Sequence, residues 1–130
     1  IKNTETVYCG DTLCDRLVAE QGFVKVKKKM TLKDFYALFK DDAKIGLAED
    51  ITFNTELGTS KNNIVINGCG GHKLTAKSLS SYGKNLTLED LKFEVASDFI
   101  CGSSAVYAGN GLTANNLEIL QNSSGDKLYE

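Results

Sequence analysis

Apolar and polar residues alternate in short runs over residues 51–120, and Gly, Asn and Ser interrupt these runs. The runs read ITFN, NIVIN, HKLTA, NLTLEDLKFE and AVYAGNGLTANNLEIL. Alternation with a period of two is typical of strands, and the interrupting residue types are typical of tight turns. This part of the chain therefore predicts short strands joined by tight turns, with no helix among them.

Before residue 50 the apolar spacing changes to that of helices. Asp11 can cap a short helix that runs to about Glu20. Thr31 is the predicted N-cap of a second helix, because Asp34 follows three residues later and apolar residues at helical spacing extend to Phe39. The second helix needs an apolar surface to lie on.

The stretch FVKVKKKM, residues 23–30, lies between the two predicted helices. Its alternation of apolar and charged residues predicts a short edge strand whose lysines discourage pairing with another chain. The basic cluster at residues 25–29 has two interpretations: a solvated strand or loop face, or a docking patch for an acidic partner.

Two stretches read as copies of one unit: YGKNLTLEDLKFE, residues 82–94, and AGNGLTANNLEIL, residues 108–120. Aligning Gly83 with Gly109 matches leucine with leucine and threonine with threonine. A slightly shorter shift aligns Asn63 with Asn85. Both shifts fall in the range of roughly 20–50 residues that is typical of stacked repeats, in which one copy is too small to bury its own apolar face.

Asp90 and Asn116 stand where each copy changes strand direction. Asn and Asp tolerate left-handed backbone conformations, so they can turn a strand without glycine, and stacked corners can form a side-chain ladder. Apolar residues of both copies then fill one interior: Leu88, Leu91 and Phe93, with Ala114, Leu117 and Ile119 above them. The predicted fold is mainly β, a parallel β-helix of about three coils with an N-terminal helical cap.

The segment GLAEDITFNTELGTSKNNIVINGCGGHKLTAKSL resembles the entry coil of right-handed parallel β-helix proteins of the pectate-lyase-like group. The matching residues are Leu47, Ala48, Asp50, Ile51 and Thr52, then Ile64, Ile66, Gly68, Gly70, His72 and Leu74. The resemblance implies a right-handed β-helix over about residues 45–122. It is specific for fold rather than activity, because the group includes lyases, hydrolases, adhesins and autotransporter passengers.

The segment SSAVYAGNGLTANNLEILQN is also similar to the repeat of chlamydial-type polymorphic outer membrane proteins. Residues 103–106 and 119–122 stand at the places of that family's G-G-A-[ILV] and F-x-x-N motifs, with both glycines and the Phe replaced. From these resemblances we expect residues 1–50 to form a capping region and residues 51–130 the coils, packed as a single domain. The coils are expected to be truncated, so that the chain is the N-terminal portion of a longer passenger.

Charge and composition exclude several classes of function. The chain of 130 residues has a net charge of −2, which gives no basic field for nucleic acid or an anionic membrane. No apolar run approaches the roughly 20 residues of a membrane span. We therefore expect no nucleic-acid partner and no membrane insertion within this chain.

The cysteines are Cys9, Cys14, Cys69 and Cys101, and none forms a C-x-x-C pair. With a single histidine in the chain, a structural zinc site is not expected. Cys9 and Cys14 are close enough to bridge around a helix start. Buried thiols and other pairings are the alternatives.

The acidic and basic residues do not form a pattern typical of catalysis. Polysaccharide lyases of this fold use a basic residue beside carboxylates that bind calcium, but the single arginine, Arg16, lies in the capping region. Clustered strand carboxylates, which glycoside hydrolases need, are also missing. The carboxylates considered are Asp41 and Asp42, interpreted as a solvated turn, Glu89 and Asp90 in a turn, and Glu94 and Glu118 at strand ends.

His72 and Cys69 lie together in the turn GCGGH. His72 is interpreted as closing the turn through a backbone carbonyl, with a general base or metal ligand as the alternative. A Cys–His nucleophile lacks an orienting third group and an oxyanion hole. We therefore predict no catalytic residue, no cofactor-binding residue and no metal ligand, and we expect a protein that is not an enzyme.

The outer faces of such a solenoid present polar residues that suit glycans or protein receptors. We expect a secreted or cell-surface module for adhesion or recognition of a host glycan or protein receptor, with self-association through the open last coil. The alternative is the N-terminal piece of a polysaccharide lyase or glycoside hydrolase whose catalytic coils lie beyond this chain. The predicted outward residues are Thr75, Lys77, Thr87, Lys92, Thr113 and Glu118.

Overall fold

The computed structural model of the chain describes residues 11–96 and 105–121. These residues form α1 (Asp11–Gln21), β1 (Val24–Val26), α2 (Leu32–Tyr36), β2 (Lys44–Leu47), β3 (Ile51–Thr52), β4 (Glu56–Thr59), β5 (Val65–Asn67), β6 (Lys73–Ala76), β7 (Ser78–Val95) and β8 (Val106–Gln121). All the strand pairs that are described are parallel. The long strands β7 and β8 each bend around corners, so a single strand contributes to several faces.

The strands stack into a solenoid with three lateral faces. Face A contains β1, β2, β5, residues 87–89 of β7 and residues 113–115 of β8. Face B contains β3, β6, residues 92–95 of β7 and residues 118–121 of β8. Face C contains β4, residues 78–81 of β7 and residues 106–108 of β8. The solenoid has about four turns, and the predicted parallel β-helix is confirmed.

The internal repeat is visible as strand register. Leu86 pairs with Leu112, and Thr87 pairs with both Val65 and Thr113. These partners are the ones that the two alignments of the repeat predict. Because β1 and β2 already belong to face A, the ladder of parallel strands begins ahead of residue 50.

An apolar column runs along the inside of the solenoid. Alternate residues of each strand point inward, and their partners on the next rung cover them. The column contains Ile45, Ile51, Leu57, Ile64, Ile66, Leu74, Leu79, Leu86, Leu88, Leu91 and Phe93, all of them buried. Leu88, Leu91 and Phe93 therefore have the interior role that the repeat predicts.

Helix α2 closes one end of this column. Its N-cap is Thr31, as predicted, and the Thr31 hydroxyl accepts a hydrogen bond from the Asp34 backbone N–H at 3.1 Å. Phe35 is fully buried, with its ring centroid 4.9 Å from that of Phe53 and 5.2 Å from that of Phe39. The helix ends at Tyr36, before the predicted stripe does, but Phe39 is still buried in the turn that follows.

Helix α1 begins at the predicted Asp11 and lies along the side of the solenoid rather than over its end. A disulfide between Cys14 and Cys69 joins α1 to the loop between β5 and β6, so a bridge between Cys9 and Cys14 is wrong. The disulfide crosses face A at Gly46, where a Cβ atom would lie only 3.0 Å from Cys14 Sγ. Glycine at this position thus lets the bridge lie on the sheet. Cys9 and Cys101 lie outside the described residues.

Candidate functional site

Side-chain ladders hold the corner between face C and face A. Asp42, Asn63 and Asn85 occupy this corner on successive turns, each with a positive φ of about 60°. Asn63 Nδ2 donates to Asp42 Oδ1 at 2.9 Å, and Asn85 Nδ2 donates to Asn63 Oδ1 at 3.1 Å. Asp41 Oδ1 also accepts a hydrogen bond from the Asn62 backbone at 2.9 Å. Asp41 and Asp42 therefore do more than form the predicted solvated turn, because their side chains also bind the next turn of the solenoid.

The corner between face A and face B contains the predicted pair. Asp90 has a φ of 48° and Asn116 a φ of 57°. Asn116 Nδ2 donates to Asp90 Oδ1 at 3.0 Å. The neighbouring Glu89 Oε2 accepts from Asn67 Nδ2 at 2.9 Å. These two carboxylates are thus used to hold successive turns together.

Face B presents charged side chains in register along the solenoid. Lys73 pairs with Lys92, which pairs with Glu118. Lys73 Nζ lies 2.9 Å from Glu94 Oε1, and this side-chain hydrogen bond raises the pKa of the lysine above its ordinary value of 10.5. The ion pair therefore holds the Lys73 ammonium group between the rung of β6 and the rung of β7.

Most of the predicted outward residues do face solvent. Lys77, Lys92, Thr113 and Glu118 are exposed, and Thr87 is partly exposed. Thr75 is the exception, because only 6% of it is accessible to solvent. Its hydroxyl lies 3.4 Å from Glu94 Oε1, and its position on an inner rung allows neighbours to cover it. Thr75 thus lies on the outer side of face B, as predicted, but neighbouring side chains cover it and it is not exposed.

His72 contacts the carboxylate of Asp50, which lies on the preceding rung. His72 Nδ1 lies 3.3 Å from Asp50 Oδ1, and the same oxygen accepts a hydrogen bond from the Lys73 backbone N–H at 2.8 Å. Burial alone would raise the pKa of Asp50, but the Lys73 N–H and the His72 ring together lower it below the ordinary value of 3.8. Asp50 therefore links the rung that begins at β3 to the rung that begins at β6.

The other chemical groups considered from the sequence are also committed to local contacts. Cys69 is bonded to Cys14, so it is not a free thiol for the Cys–His nucleophile. Arg16 forms an ion pair with Glu20 on α1 at 3.2 Å. No group of three or more His, Cys, Asp and Glu residues that could hold a metal ion occurs within residues 11–96 and 105–121.

Two tyrosines form an exposed pair that the sequence reasoning missed. Tyr82 is 63% exposed and Tyr107 is 45% exposed, and their ring centroids lie 5.6 Å apart with the planes at 44°. The alignment of Gly83 with Gly109 places Tyr107 opposite Ser81, but Tyr107 in fact pairs with Ser80. A register shift between Ser81 and Lys84 absorbs the difference and brings the rings together.

The closed end contains a cavity of about 210 Å³. Pockets for drug-sized ligands have volumes of roughly 300–1,000 Å³, so this one is small. Its wall combines apolar residues such as Val24 and Leu38 with the charged residues Lys40, Asp42 and Lys44. The exposed faces offer more area for recognition than this cavity does.

No protein-family model, no curated protein and no solved structure matches this chain. The parallel solenoid is thus the part of the family resemblance that the structure itself supports. Neither α1 nor α2, the helices in the described ranges, is long and apolar enough to cross a membrane.

Proposed function

We propose that the chain is a secreted or cell-surface recognition module that binds a host glycan or protein receptor and has no catalytic role. The observation that carries this proposal is the fixed order of exposed side chains on the lateral faces. Exposed residues of successive rungs, such as Lys92 and Glu118, stand in register on strands whose corners are held by hydrogen bonds. A preorganised surface of this kind binds a partner with little loss of conformational entropy.

The disulfide supports an extracellular location. Cys14 and Cys69 are buried beside face A and are separated by 55 residues in sequence. Disulfides form and persist in oxidising compartments and are rare in the cytosol. The bridge is therefore what we expect in a protein that leaves the cytoplasm.

The proposal also includes the family to which the module would belong. The segment from Leu47 to Leu74 resembles right-handed β-helices of the pectate-lyase-like group, which includes adhesins and autotransporter passengers. The narrower likeness to polymorphic outer membrane proteins depends partly on residues 103, 104 and 122, which lie outside the described residues. On this proposal the module serves adhesion on an outer surface, and its last rung also contacts a second copy of the chain.

Binding of the intact chain to cultured mammalian cells tests the proposal. A fluorescently labelled chain is titrated onto the cells, and the bound label is measured by flow cytometry. We expect saturable binding that either periodate, which cleaves sugar diols, or protease treatment of the cells abolishes. Absence of saturable binding up to about 1 mM, the weak end of specific affinities, would overturn the proposal. Release of unsaturated or reducing ends from polygalacturonate by the chain would overturn its non-enzymatic part.

A further inference from the structure

We propose that Tyr82 and Tyr107 form a binding site for a pyranose ring. This inference rests on the proposed recognition function and assigns it to one place, where face C meets face A. Both rings are exposed, and their centroids are 5.6 Å apart. A sugar ring combines apolar C–H edges with hydroxyl groups, and exposed tyrosines offer an apolar ring face together with a polar tip.

The exposure of both rings leaves apolar surface in water. Apolar residues exposed singly are ordinary on protein surfaces, but two large rings in contact leave a continuous apolar patch in water. Packing between neighbouring strands accounts for contact between the rings, yet it does not require that Tyr82 remain 63% exposed. A ligand that lies over the rings would remove this apolar surface from water.

The backbone under the rings is held in place. Asn110 Nδ2 donates to the Tyr82 carbonyl oxygen at 3.1 Å, which joins the two rungs beside the pair. Gly109 leaves room for the Tyr107 ring, since a Cβ atom at this position would lie 2.5 Å from Tyr107 Oη. The rings therefore stand on a rigid support, as a preorganised binding site requires.

Hydrogen-bonding groups suited to sugar hydroxyls follow the two rings along the chain. Asn85 follows Tyr82 by three residues, and Asn110 follows Tyr107 by three. Each amide uses one N–H group in the contacts described above, and an amide carries two. Lys84 is exposed and pairs with Asn110, so a sugar that carries a carboxylate could also be held.

The test measures binding of neutral oligosaccharides and of oligogalacturonates to the intact chain by saturation-transfer NMR and calorimetry. Variants Tyr82→Ala and Tyr107→Ala are expected to weaken binding about tenfold each, because they remove the ring that stacks on the sugar. Tyr82→Phe keeps the ring and is expected to stay within about threefold of the natural chain. Val24→Ala is the matched control, since Val24 is also 45% exposed but belongs to β1 at the α2 end.

The outcomes separate this inference from the proposed function. If the chain binds cells or sugars and both alanine variants bind equally well, the tyrosine site is overturned and the recognition function stands. Binding to cells that periodate treatment leaves intact and protease treatment abolishes would also overturn the tyrosine site and leave the recognition function standing. If the chain binds neither cells nor any sugar, both proposals fall. Urea unfolding of each variant shows whether a loss of binding reflects a loss of folding instead.

Discussion

The two ends of the solenoid treat the same kind of apolar residue in opposite ways. At the α2 end, the rings of Phe35 and Phe39 cover the column, and both residues are buried. At the β8 end, Leu112 is 46% exposed and Ile119 is 51% exposed. The rung directly below β8 contains their partners Leu86 and Phe93, which are at most 1% exposed. Burial in this fold is therefore decided by the neighbouring rung and not by the residue type.

The ends also differ in how their edge strands are protected. β1 is a short edge strand in which Lys25 forms an ion pair with Asp15, and exposed lysines follow it at residues 27–29. β8 extends from Val106 to Gln121 and carries a single charged residue, Glu118. Lysines and short length discourage pairing of an edge with another chain. The α2 end is thus protected, while among residues 11–96 and 105–121 β8 presents a long and almost uncharged edge.

The largest expected effect comes from removing the aromatic cover of the α2 end. Phe35→Ala leaves a cavity between Phe39 and Phe53, and we expect it to lower the free energy of unfolding by about 3–5 kcal/mol. Leu112→Ala at the other end is the control, with an expected loss of less than about 1 kcal/mol because much of its surface is already in water. Urea unfolding followed by circular dichroism measures both values. Equal losses for the two variants would contradict the difference between the ends.

Breaking the disulfide tests whether the α2 end owes part of its stability to α1. The bridge joins Cys14 to Cys69, 55 residues apart, and a loop of this length stabilises a protein by about 2–4 kcal/mol. In the double variant Cys14→Ser/Cys69→Ser we expect a loss of this size. Hydrogen exchange should accelerate first in α1, β1 and β2, which lie beside the bridge. An exchange pattern in which only β8 becomes faster would contradict this assignment.

The corner asparagines provide a smaller and matched comparison. Asn63 makes ladder bonds to both Asp42 and Asn85, whereas for Asn116 the ladder bond is to Asp90. Both have positive φ, so alanine strains the backbone equally, and the difference reports the additional hydrogen bond. We expect Asn63→Ala to cost about 2–3 kcal/mol and Asn116→Ala about 1–2 kcal/mol in urea unfolding.

The glycine variants of the same positions separate strain from hydrogen bonding. Asn63→Gly adopts a positive φ without strain, so its remaining cost comes from the lost ladder bonds and from the greater entropy of glycine in the unfolded chain, about 0.5–1 kcal/mol. If Asn63→Gly were as stable as the natural chain, the ladder would contribute nothing and the comparison would fail.

The sequence predicts the features that depend on neighbours at a fixed repeat. Leu86 and Leu112 lie at equivalent places in two copies, and the alignment of those copies gives their strand register directly. The corner pair of Asp90 and Asn116 follows from the same alignment, since Asn and Asp are suited to positive φ. The strands, the corners and the core of the inner coils are thus accessible from sequence. Ala114 and Ile119, which are also predicted to fill the same interior, are exposed, and Leu117 is partly buried.

Features that depend on contacts between different turns are less accessible. The partner of Cys14 lies 55 residues away, and cysteine spacing alone does not distinguish Cys69 from the alternatives. The contact of His72 with Asp50 joins two rungs, so reading the turn GCGGH by itself misses it. The tyrosine pair depends on a shift of one residue in register at Ser81, which no periodic alignment contains.

A substitution at the edge of β8 is expected to have the smallest effect on folding. The same substitution is expected to have a large effect on assembly. Ile119 is half exposed, so Ile119→Lys is expected to change the free energy of unfolding by less than about 1 kcal/mol. Because lysine discourages edge pairing, the same change should abolish the association of two copies through β8. Sedimentation velocity is expected to show concentration-dependent dimers of the natural chain and monomers of this variant. Val24→Lys, at the protected end, should leave the dimers unchanged, and a natural chain that stays monomeric at every concentration would show that the exposed edge does not bind a second copy.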